Sequence, residues 1–135
     1  MDRDAAQSFL ETAFAPWVLA LKPQVTTFGP NAAVLTIPIT PDIARAGGIV
    51  SGQTMATLAD TAMVLACIGH LSKLEPISTV TLDTQFLRPG SGETLTAEAE
   101  VTRAGRAMIF ARCTLSTQPS GKTVALATAT FARPA

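Results

Sequence analysis

One segment dominates what this chain can become. From Ser51 to Leu71 it reads SGQTMATLADTAMVLACIGHL, apolar or small almost throughout, with Asp60 as its formal charge. The run is too long for a strand and lacks strand alternation, and its apolar residues fall on every side of a helix. A helix that is apolar all round must be covered all round. The segment therefore predicts a central helix, with the rest of the chain as its coat. Ser51 is placed to cap the start by accepting from an orphan backbone N–H, and Gly69 and His70 mark the far end. The length also suits a bilayer span, but Gln53, Thr54, Thr57, Thr61 and above all Asp60 are costly at mid-bilayer, which argues against a membrane role.

The remainder supplies the coat. Asp4 to Ala15 reads as a short amphipathic helix with Phe9, Leu10, Ala13 and Phe14 on one face, limited by Pro16. Val25–Phe28 and Val34–Ile39 read as strands around a Gly29-Pro30-Asn31 turn, and Asp42 to Gly48 as a loop. After the helix the period changes to two. Val80, Leu82 and Phe86 alternate with Thr81, Asp83 and Gln85; Leu95, Ala97, Ala99 and Val101 alternate with Thr96, Glu98 and Glu100. AMIFARCTLST and TVALATATFA continue more weakly, and Gly-, Pro- and Ser-rich turns separate the runs. These predict half-buried strands in a consecutive antiparallel meander. The fold class expected is α+β: an antiparallel sheet wrapped around a long helix, with a short N-terminal helix, all in one domain over 1–135.

Composition bears on partners. Of the 135 residues 47% are hydrophobic and only 15% charged, which suggests that some surface is buried against a second copy. Open sheet edges point the same way, since pairing edges between copies satisfies them. Net charge is zero and no basic block occurs, so a nucleic-acid partner is not expected. Acidic residues in the opening MDRDAAQSFL are unlike a secretory leader, and the expected location is cytoplasmic. Cys67 and Cys113 belong to no CxxC pair and read as buried thiols.

Asp60 is the chemical question. Its helical neighbours Ala56, Thr57, Met63 and Val64 do not look like a solvent-facing strip, and no cation lies within one turn. Either the carboxylate is tied structurally, to backbone or Thr57, or the chain uses it; burial of an unpaired carboxylate raises its pKa. The helix start adds a second element. The unpaired N–H groups at Ser51-Gly52-Gln53 and the positive end of the helix dipole can receive a developing oxyanion, and Gly52 carries no side chain to block approach. Gly52 and Asp60 are separated by about 12 Å along a helix at ~1.5 Å per residue. One copy cannot bring both to one carbonyl, whereas two antiparallel helices side by side in a dimer can.

The residues that carry a resemblance are GGIVSGQTMATLADTAM, STVTLDTQFLRPG, EAEVTRAGRAMIFARCTL and SGKTVALATATF. Over roughly 25–133 the chain resembles the hotdog-fold thioesterases of the phenylacetyl-CoA (PaaI-like) type. The resemblance implies a central helix wrapped by an antiparallel sheet, homodimers that often associate as tetramers, and hydrolysis of an acyl-CoA to free acid and coenzyme A. No metal or cofactor is implied, coenzyme A being part of the substrate. Asp60 matches the family's catalytic carboxylate and Gly52 the glycine whose N–H polarises the carbonyl. A Ser or Thr on the next strand assists the water: Thr79, with Ser78 one position away. The chain departs from the family at the carbonyl-binding end. Ser51-Gly52-Gln53 stands where His-Gly-Gly is usual, and Arg45 stands near an expected asparagine. Ser51 can keep the cap and Gln53 can donate from its amide. Arg88, Arg103 and Arg106 are candidates for the phosphates of coenzyme A. The alternatives are a non-catalytic acyl-CoA binder and, on the same fold, a hydratase pairing His70 with Asp60. About 15 Å of axial separation within one helix argues against that pair.

Overall fold

The computed structural model of the protein describes residues 1–134. Helix α1 (Arg3–Ala13) opens on Asp2, whose carboxylate accepts from Ala5 N, and it buries Ala6 and Leu10. It ends two residues earlier than its periodicity predicts. Pro16 does not merely stop it but opens a second short helix, α2 (Pro16–Leu19), at the first-turn position where proline's missing N–H is not needed. Strands β1 (Gln24–Phe28) and β2 (Ala32–Pro38) form a hairpin. The segment expected as plain loop holds a 3-10 turn (Pro41–Ile43) and a small ribbon, β3 (Ala44–Arg45) with β4 (Ile49–Val50), closed by Gly47 and Gly48 at positive φ.

Helix α3 (Gly52–Leu71) is the predicted central rod. Ser51 caps it, accepting from Thr54 N at 3.2 Å, and Ser72 closes it in the left-handed conformation with its N–H on Ile68 O. At the far end Gly69 presses on the β1–β2 turn so closely that a Cβ there would lie 2.4 Å from Gly29 O. The helix packs across β2, β6 (Thr94–Ala104), β7 (Met108–Gln118) and, at its flank, β8 (Thr123–Ala132) and β5 (Ser78–Phe86). Leu58, Met63 and Leu65 of the rod meet Leu35, Leu115 and Phe131 of the sheet in one core cluster. The segment whose length suits a bilayer is thus the buried core helix of this domain. Cys67 and Cys113 are free buried thiols, both pushed up to about 12 by burial, Cys113 also by the charge of Glu98.

The sheet has six antiparallel strands in the order β1-β2-β6-β7-β8-β5. The expected consecutive meander therefore holds only for β6-β7-β8. Strand β5 pairs with β8 at the far edge rather than with β6, because the chain from Leu87 to Glu93 crosses the sheet end, held by Leu87 N on Val124 O and Glu93 N on Gln118 O. The prediction of half-buried strands fails for β5. Val80 (51%), Leu82 (39%) and Phe86 (54%) stay exposed, because an edge strand has a neighbour on one side only. Nor is the rod covered all round: Ala56, Thr57, Asp60 and Val64 form a half-exposed stripe along one side. The sheet curls round α3 without closing, and α1 lies over part of that open side, tied to β1 by Gln7 (Val25 N to Oε1, 2.7 Å) and Arg3 (to Val25 O, 3.0 Å).

Candidate active site

Asp60 lies on the half-exposed stripe of α3, flanked on one side by the start of β5. Its Oδ1 accepts a 3.0 Å hydrogen bond from Thr79 Oγ1 at the start of β5. Burial holds the carboxyl above the usual carboxylate range, and the Thr79 hydroxyl offsets part of that rise. Thr57, the helical neighbour considered as a tether, turns back to Gln53 O instead. The choice between Thr79 and Ser78 is made by a bulge. The β5–β8 register slips between Thr79 and Thr81, so Thr79 sits opposite Phe131 while Leu82 sits opposite Ala129. Both partners are buried on the helix side. Without the extra residue, alternation from Leu82 would turn Ser78 inward; with it, Thr79 faces the rod.

Asp60 and Thr79 line a cavity of about 560 Å³. Its other walls are Phe9 and Ala13 of α1, Phe14 just past its end, Val64 of α3, and the 74–77 segment that joins the rod to β5. Phe9 and Phe14 meet edge to face, ring centroids 6.0 Å apart. Glu75 at its rim pairs with Arg133, whose guanidinium nitrogen lies 3.2 and 3.0 Å from the two carboxylate oxygens. Sequence reasoning placed Phe9 and Phe14 on one face of the N-terminal helix but gave them no part in the site, and it missed Glu75 and Arg133. The amphipathic face was the available signal for the aromatic pair. Nothing local marks the ion pair, whose members are far apart in the chain.

The helix start lies elsewhere. Gly52 lines a second cavity, of about 390 Å³, with Arg45, Met55, Phe86 and Arg88. Neither Gly52 N nor Gln53 N has a hydrogen-bond acceptor among the described residues, whereas Ser51 N is held by Ile43 O and Val50 N by Gly90 O. A Cβ on Gly52 would come within 3.2 Å of the Phe86 ring. Ser51 Oγ is engaged by Thr54, at 2.8 Å from its hydroxyl, and Gln53 is exposed. The structure thus gathers Gly52, Arg45 and Arg88 at one place and Asp60 and Thr79 at another, about as far apart in one copy as the spacing requires. Arg106 lines neither: it lies in the β6–β7 turn, at the sheet end where Met108 pairs with Ala132, away from Arg45 and Arg88. Arg103 is exposed on β6. His70, in the last turn of α3, pairs through Nδ1 with Asn31 Oδ1 at 2.6 Å and does not approach Asp60. Among the described residues no three His, Cys, Asp or Glu side chains gather as metal ligands would.

Comparison with known proteins shows the family. The chain is 34% identical to the medium/long-chain acyl-CoA thioesterase YigI of Escherichia coli K12, over 64% of this chain. It spans only 63% of the length of that relative. Among solved structures, the PaaI protein of the E. coli phenylacetic acid degradation operon superposes with a TM-score of 0.85 at 26% identity, covering 98% of this chain and 92% of that one. Zebrafish thioesterase superfamily member 2 shares the fold, with a TM-score of 0.87 at 22% identity and 99% of each chain covered. The family model of the Thioesterase superfamily matches residues 47–124, the stretch that holds the capped rod, Asp60, Thr79 and most of the sheet, and the chain belongs to that superfamily.

Proposed function

We propose that this chain is an acyl-CoA thioesterase that works as a dimer, each site built from two copies. One observation carries the reading: a half-buried carboxylate, Asp60, held by the Thr79 hydroxyl in the wall of a largely apolar cavity, with no cation paired to it among the described residues. A carboxylate so placed is a base or nucleophile in waiting. It attacks the thioester carbonyl, or takes a proton from the water that does. The thiolate of coenzyme A is a good leaving group, so no strong general acid is required. The negative oxygen that develops needs a donor, and the free N–H of Gly52 on a facing copy supplies it. Arg45 and Arg88 beside that glycine are positioned for the phosphates of coenzyme A.

A second copy is supported by the same features that the protomer leaves unfinished. The β5 edge has unpaired backbone groups and three exposed apolar side chains, and beside it the α3 stripe is uncovered. Laying two rods antiparallel would cover both and bring Asp60 toward the other copy's Gly52. The relative YigI carries a medium/long-chain acyl-CoA description, and an apolar cavity beside the carboxylate fits an apolar acyl group here.

The test is thiol release from a panel of acyl-CoAs. Wild-type protein is expected to turn over, and Asp60→Ala to lose on the order of 10³-fold in kcat, the scale of a positioned base or nucleophile. Tight acyl-CoA binding with no release, unchanged in Asp60→Asn, would replace the enzyme by a binder. A single turnover in heavy-oxygen water separates the two chemical routes, since label on Asp60 requires an anhydride there.

A further inference from the structure

We propose that helix α1 is the specificity wall of the site, with Phe9 and Phe14 taking the tail of a medium-length, unsubstituted hydrocarbon acyl group whose thioester lies at Asp60. This rests on the thioesterase reading and adds to it the part of the molecule that selects the substrate. One cavity takes in both the Asp60–Thr79 pair and the Phe9–Phe14 pair, so a group bound by its carbonyl at the first has its tail within reach of the second. Its volume, about 560 Å³, lies within the ~300–1,000 Å³ of small-molecule sites. An acetyl group would leave most of it empty and forfeit the contacts of its lining.

The lining also says what the tail cannot carry. Apart from Asp60 and Thr79, which hold each other, the walls present Phe9, Phe14, Val64, Leu74 and Ile77, and Glu75, which Arg133 engages. A hydroxyl on the tail finds no free side-chain partner among these walls and gives up hydration where it lies against the two rings. A terminal carboxylate finds the Arg133 guanidinium already taken by Glu75 and loses hydration against the apolar wall without gaining a cation. The wall is stiff rather than adaptable. Gln7 bonds both Val25 N and Pro23 O, Arg3 bonds Val25 O, and Leu10 is buried, so α1 is tied to β1 through the turns that precede and carry Phe9. The edge-to-face rings fix each other.

The experiment compares kcat/KM for acetyl-, butanoyl-, octanoyl-, dodecanoyl-, 8-hydroxyoctanoyl- and adipyl-CoA in wild type, Ala13→Phe, Phe14→Ala and Trp17→Ala. Wild type is expected to gain about four-fold per methylene until the cavity is full, the fold-change equivalent to burying one CH₂, and to discriminate against the hydroxylated and carboxylated esters. Ala13 is exposed and at the cavity wall, so a ring there fills space without disturbing the core. Ala13→Phe should lower the octanoyl-to-butanoyl ratio ten-fold or more, chiefly through KM. Phe14→Ala should move the optimum toward dodecanoyl. Trp17 is exposed and outside the cavity, and Trp17→Ala should leave the ratio where it was. Melting curves establish that each variant is folded; if Phe14→Ala is not, Ala13→Phe decides alone. An active wild type whose chain-length profile is unmoved in folded Ala13→Phe overturns the wall and spares the thioesterase. So does equal turnover of octanoyl and 8-hydroxyoctanoyl esters. A wild type that releases no thiol from any ester overturns both readings.

Discussion

Asp60 is held in conflict with its surroundings, and that conflict is measurable apart from catalysis. Burial raises its pKa in the folded chain above the unfolded value, so the fold favours the protonated form. Its contribution to stability is then fully present below the unfolded pKa and is lost as pH rises through the folded one. Asp60→Asn keeps the shape and removes that loss. The variant is expected to melt above wild type at neutral pH, with the gap closing toward about pH 4, where the unfolded carboxyl titrates. Calorimetry across that range checks it, and parallel melting curves at every pH would mean that the carboxylate is no less solvated in the fold than out of it. The same shift places the acid limb of kcat/KM above the pH expected for an ordinary aspartate. Trading stability for a poised group in this way is common at functional sites.

At the scale of the element, the rod was legible in advance and its surroundings less so. An uninterrupted apolar run, a Ser51 cap and a glycine near the far end are local signals, and α3 begins and ends where they put it. Asp60 and Gly52 were legible as the carboxylate and the free helix start for the same reason. The position of β5 was not, because it depends on where the 87–93 crossing lands, and no local pattern encodes that. Thr79 could not be separated from Ser78, because the bulge at Val80 flips the facing of everything before it. The cavity was invisible: its walls come from α1, α3 and the 74–77 segment, distant in the chain and indistinguishable from core by type. The helix start permits a sharp test. Gly52 occupies the first helical position, where proline is tolerated, and Ser51 before it is extended (φ −66, ψ 148), as a residue before proline must be. The exposed Phe86 ring can yield to the added atoms. Gly52→Pro therefore removes the N–H without breaking the helix, the bulk of its ring being controlled for by Gly52→Ala, which keeps the N–H. Gly52→Pro is expected to fold and to lose about 10²–10³-fold in kcat, the effect of deleting one oxyanion donor. Unchanged turnover would move the oxyanion site away from the helix start.

For the whole molecule the decisive question is whether a site crosses between copies. Asp60→Ala and Gly52→Pro are each expected to be inactive alone. Unfolded and refolded together in equal amounts, they should recover about a quarter of wild-type activity, since half the dimers are then mixed and each mixed dimer has one intact site. Recovery near zero, with mixed dimers present by mass spectrometry, would put both groups to work within one copy or not at all. The contact between Gly69 and the Gly29 carbonyl bears on how such a site can move. A rod seated at its last turn against a backbone oxygen, and capped at its first by Ser51, has no axial play. Entry and release of substrate must then be accommodated around it, at the 74–77 segment and, in a dimer, at the seam between copies, while the rod itself keeps station like the fixed spindle of a lock.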